Sequence, residues 1–94
     1  MSKTANLTPV QADLVHRLAT ETLGGRIERR RGGFWTAPET IADARGVPDW
    51  YVTRPTVEAL WRKGVLEISA TRQDSSGVAF VVEYRLTAEW RVKP

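Results

Sequence analysis

With 94 residues, the chain has room for one domain with one modest core. Its apolar share of 41% and charged share of 27% are those of an ordinary globular protein. The absence of cysteine excludes disulfides and thiolate zinc sites, and the single histidine, His16, excludes a histidine-rich metal site. No apolar run approaches the roughly 20 residues that span a bilayer. The first residues, Met1 to Asn6, are polar and carry no signal-peptide pattern, so a cytoplasmic protein is expected. The formal net charge is +3, and eleven of the fourteen basic residues are arginine. Arginine suits bidentate contacts to phosphate or guanine, although a GC-rich genome would also favour it.

Residues 1–6 are expected to be a flexible tail of a single domain spanning 1–94. Leu7-Thr8-Pro9-Val10-Gln11 is a helix start: Thr8 as N-cap, Pro9 at the first helical position, and Gln11 completing a capping box. Val10, Leu14 and Leu18, with Val15 one step aside, form the apolar stripe of a helix running to about Thr22, where Gly24-Gly25 stops it. His16 falls among its polar positions and reads as a surface histidine.

Residues 25–36 are the densest basic stretch, with Arg26, Arg29, Arg30 and Arg31 opposed only by Glu28. Arg31-Gly32-Gly33 separates the strand-like pieces Arg26–Arg30 and Phe34–Thr36, and glycine readily takes the positive φ of a tight turn. A small hairpin is predicted, with Ile27 and one of Phe34 or Trp35 in the core. Its arginines form either a clamp on a phosphate backbone or a solvated face.

Pro38 to Arg45 reads as a short helix, with Gly46 as its stop and Pro48 preventing resumption. The connector that follows, Val47-Pro48-Asp49-Trp50-Tyr51, is longer than a helix-turn-helix turn. That length leaves an ordered loop as the alternative for 38–45.

A central helix follows. Thr53 is its cap, Pro55 lies in its first turn, and Val57, Leu60 and Trp61 recur at helical spacing. Gly64 follows Arg62-Lys63 as the stop. Val65–Thr71 and the alternating Val78–Leu86 then form a β-hairpin around the polar loop Arg72–Gly77. A last helical turn starts at Thr87 and lets Trp90 fold back on the core.

Two stretches resemble winged-helix sequences. Thr56-Val57-Glu58-Ala59-Leu60-Trp61-Arg62-Lys63-Gly64-Val65-Leu66-Glu67 is similar to the recognition-helix exit of MarR-like and related regulators. Tyr84-Arg85-Leu86-Thr87 is similar to the strand ending after their wing. The small single-domain layout also resembles phage-type regulators. The resemblance implies an α+β fold: a single winged-helix domain of three helices with a small antiparallel sheet and a β-hairpin wing. It implies a double-stranded DNA partner, a transcriptional regulator and a possible homodimer. Thr53, Arg54 and Thr56 would face the major groove. Arg62 and Lys63 would meet phosphates, and Arg72 and Gln73 on the wing would reach the backbone or minor groove. Arg29, Arg30 and Arg31 would add flanking phosphate contacts. Glu58 and Asp74 count against tight DNA binding.

The alternative is a protein-interaction winged helix, such as a phage-encoded inhibitor or antirepressor, for which the four tryptophans speak. No nucleophile elbow, phosphate-cradling glycine loop or metal-ligand cluster is present, so no catalytic residue, metal or cofactor is expected.

Overall fold

A computed structural model describes residues 6–91. Most of the expected tail 1–6 therefore lies outside the described residues. The elements run α1 (Pro9–Glu21), β1 (Arg26–Arg30), β2 (Phe34–Thr36), α2 (Arg54–Arg62), β3 (Leu66–Gln73) and β4 (Ala79–Leu86), followed by a 3-10 turn at Ala88–Trp90.

Local chemistry explains the ends of both helices. At α1 the Thr8 hydroxyl accepts from Gln11 N at 3.2 Å, and Gln11 Oε1 accepts from Thr8 N at 3.1 Å, a complete capping box. Its buried face is Gln11, Leu14, Val15 and Leu18; Val10, expected in the stripe, is 61% exposed. α2 begins after Thr53, which sits at the N-cap position without a side-chain cap bond. It ends at Gly64, whose φ of 78° only glycine adopts cheaply. Val65 N donates to Leu60 O at 3.0 Å and Gly64 N to Trp61 O at 3.0 Å, the paired bonds of a Schellman motif. Leu60 and Val65, both fully buried, anchor that motif in the core.

The four strands form one antiparallel sheet in the order β2-β1-β4-β3. The β1–β2 and β3–β4 hairpins are joined by pairing of β1 with β4, in the register Arg26↔Arg85, Ile27↔Tyr84 and Glu28↔Glu83. β3 pairs with β4 from Leu66↔Leu86 to Gln73↔Ala79, with bulge-type register shifts around Ala70. α1 packs against α2 and β4, and α2 against β2 and β3. Between helices and sheet lie Leu14, Leu18, Ile27, Trp35, Val57, Leu60, Leu66, Tyr84 and Leu86, all buried, and Trp90 packs against this cluster.

This arrangement corrects the expected winged-helix architecture. Among the described residues there are two α-helices and a four-stranded antiparallel sheet, a small α+β fold, and not three helices with a hairpin wing. The predicted helix at 38–45 does not form. The Asp43 carboxylate accepts from Arg45 N at 2.8 Å and Val47 N at 3.0 Å, so its own loop offers the backbone a better set of bonds than a helical turn. Ile41, the one large apolar residue of 38–45, is 77% exposed. The loop is held to the sheet where Trp35 and Val52 exchange backbone bonds of 3.0 and 2.9 Å. No helix therefore stands next to α2 in the position that a helix-turn-helix pair requires. The predicted wing, β3–β4, is part of the four-stranded sheet.

Candidate nucleic-acid interface

The residues expected to contact DNA fall into three sets. On α2, Arg54, Glu58 and Arg62 stand at i, i+4 and i+8. Arg54 Nε donates to Glu58 Oε2 at 2.7 Å, and Arg62 Nη2 lies 3.7 Å from Glu58 Oε1. This hydrogen bond to Glu58, reinforced by the carboxylate's charge, raises the Arg54 pKa further above its ordinary value. The two cations are present where expected, but a carboxylate bridges them. Thr53 is exposed and Thr56 half-buried at the same helix start.

Two other residues of the expected interface hold the fold together. Arg30 Nε donates to Glu28 Oε2 at 3.1 Å, while Arg30 Nη2 donates to the carbonyls of Ala37 and Pro38 at 3.0 and 3.2 Å. It clamps the exit of β2. Lys63 Nζ donates to Gln11 Oε1 at 2.7 Å and to the Asn6 carbonyl, fastening the end of α2 to the start of α1.

The third set is drawn together by the strand pairing. Arg29, Arg30, Arg31 and Arg72 border one shallow concavity of about 340 Å³ with Gly32, Phe80 and Val82. Arg72 lies opposite Phe80 in the β3–β4 ladder, and the Arg29 guanidinium sits 5.4 Å from the Phe80 ring centroid. Arg29, Arg31 and Arg72 are exposed. Among the described residues, the ion pairs engage Arg17, Arg30, Arg45, Arg54, Arg62 and Arg85, and none of these three. Gln73, next to Arg72, ends β3 and pairs with Ala79.

A larger concavity, about 470 Å³, opens beside this patch between α2 and the sheet. Its rings are Trp35, Trp61, Phe80 and Tyr84; Arg29, Arg54 and Glu58 supply its charges. Trp61 and Trp35 lie 6.3 and 5.7 Å from Tyr84, centroid to centroid, in tilted geometry. Burial, and then the Glu58 charge, push the Tyr84 hydroxyl above its ordinary pKa, so it stays a neutral donor at neutral pH.

The helical spacing places Trp61 on one face with the buried Val57 and Leu60 and gives no sign of this cleft. Tyr84 is buried, but Trp61 is 43% exposed. One signal was available: the Arg54–Glu58–Arg62 spacing is a legible ion-pair ladder, and Trp61 lies at the border of that charged face. Asp74, counted earlier as acidic repulsion, is occupied. Its Oδ1 accepts from Ser76 Oγ at 2.6 Å, Ser76 N at 2.9 Å and Val78 N at 3.0 Å.

Among the described residues no group of three His, Cys, Asp or Glu is placed to hold a metal ion. No helix among them is long and apolar enough to cross a membrane. The chain matches no family model, and neither a curated protein nor a solved structure shows significant similarity to it.

Proposed function

We propose that this chain is a nucleic-acid-binding protein, a small cytoplasmic regulator that grips duplex DNA through the β1–β2 turn and the adjoining β3–β4 hairpin. One observation carries the reading. Arg29, Arg31 and Arg72, brought together from two distant segments, border one concavity and form no carboxylate pair among the described residues. Unpaired guanidinium groups in a cluster are the chemistry that phosphate oxygens recruit. Arg54 and Arg62 extend the basic surface along α2, weakened by Glu58. Phosphate contacts position a protein without reading sequence, so most of this affinity is sequence-independent. Three contacts make a weak site, and a homodimer, which doubles them, belongs to the proposal.

The test is a titration of labelled duplex DNA between about 50 and 200 mM salt. Three contacts at about 0.9 each predict a slope of log affinity against log salt of about −2.7 per protomer. Substituting both Arg31 and Arg72 by alanine should lower affinity uniformly across sequences and flatten the slope by about two. Affinity that is flat with salt, or unchanged in that double variant, would end the reading.

A second reading, a protein-interaction module, is supported by exposed rings. Trp61 is 43% and Tyr51 45% exposed, and Tyr51 lies 4.5 Å from Phe34, centroid to centroid. It becomes the better account if duplex DNA fails to bind at the lower salt.

A further inference from the structure

We propose that the cleft between α2 and the sheet receives an unpaired nucleobase, so that the ligand is DNA carrying a single-stranded nucleotide beside a duplex. The inference rests on the nucleic-acid reading above and names the part of the ligand that the arginine patch does not engage.

Continuity is the first observation. Arg29 and Phe80 line both concavities, so the phosphate-binding patch runs directly into the ring-lined cleft. A strand whose phosphates sit on Arg29, Arg31 and Arg72 presents its next base there. The second is the lining. Of its rings, Trp35 and Tyr84 are buried beneath the cleft and Phe80 is half-buried under Arg29, while Trp61 keeps 43% of its surface exposed at the rim and offers a π-face. Stacking on such a face tolerates any base. The third is charge. Two arginines against one carboxylate leave the lining net positive, which opposes a cationic guest in this aromatic setting and suits a nucleotide. The fourth is hydrogen bonding. The Glu58 carboxylate accepts from an exocyclic amino or ring N–H, and Arg54 and the neutral Tyr84 hydroxyl donate to base carbonyls or ring nitrogens. A base inside a duplex has its edge paired and its faces stacked, so only an unpaired one can use all four.

The test compares a blunt duplex with the same duplex carrying a short unpaired overhang, using the full chain, anisotropy for affinity and tryptophan emission for stacking. The overhang should tighten binding about tenfold and quench emission, as base–aromatic stacking commonly does. Trp61→Ala should abolish that gain and leave blunt-duplex affinity unchanged, while Trp61→Phe, which keeps a ring and guards against misfolding, should retain most of it. An overhang gain below about twofold, or equal gains in wild type and Trp61→Ala, overturns the cleft assignment while blunt-duplex binding leaves the arginine reading intact. Failure of both DNAs to bind overturns both.

Discussion

Asp74 illustrates how a side chain's role is set by neighbours two and four positions away. Bonds from the Ser76 hydroxyl first, then from Val78 N and Ser76 N, hold its carboxyl below the ordinary value of 3.8. A carboxyl with a depressed folded pKa stabilises the fold above its unfolded pKa, and that contribution is lost as pH falls through the lower, folded value. Acidification below 3.8 should therefore loosen the 74–78 loop. Amide protection at Ser76 and Val78 should fall over that window, and Asp74→Ala, which removes the acceptor oxygen, should show the same loss at neutral pH. Unchanged protection at Val78 in the variant would mean that Gly77 and the strands alone close the loop. The spacing Asp74-Ser75-Ser76-Gly77 made a polar turn readable. It did not disclose that the charge is consumed there, since Asx bonds depend on backbone angles that composition does not specify.

Helix α2 shows which features are readable from local order. Its proline, its glycine stop and its apolar positions Val57 and Leu60 all act over a few residues, and each occurs as expected. The 38–45 segment failed because two local solutions compete there, and the Asp43 turn satisfies more backbone groups than a short helix with no apolar face to bury. Trp61 was misplaced because a nine-residue helix buries only a narrow strip, in which Val57 and Leu60 are buried. The α2 terminus permits a sharp comparison. Gly64→Ala forces a side chain into φ 78° and should cost about 1–2 kcal/mol, with open space around the new methyl. Leu60→Ala opens a cavity at a fully buried site and should cost about 2–5 kcal/mol. Urea denaturation measures both; an alanine at 64 that stabilises would contradict the left-handed cap.

Over the whole molecule, what was hidden is what depends on long-range pairing. The hairpins are local and were legible, but β1 meeting β4 was not, because nothing near Arg26–Arg30 specifies Glu83–Arg85 as its partner. That pairing is what carries Arg29 and Arg31 to Arg72, so the arginine cluster could be anticipated as residues but not as a site. The formal charge of +3 also understates the local field. Carboxylates at Glu28, Glu58 and Glu67 are each committed to an arginine. Glu58→Gln should release Arg54 and Arg62 to solvent. Duplex affinity should then rise several-fold at low salt and the salt slope steepen by about one to two. An unchanged slope would show that α2 lies off the DNA path.

The bulged β3 has a consequence for assembly. In the order β2-β1-β4-β3, the outer side of β2 is engaged by Val52, while β3 is the long strand left at an edge. An open edge is a template for another chain's strand. The register shifts around Ala70 interrupt that template near its middle, so an incoming strand finds two short runs in place of one of eight residues. Sheet extension between copies through β3 is thereby discouraged, so a homodimer of the kind proposed would form through another surface.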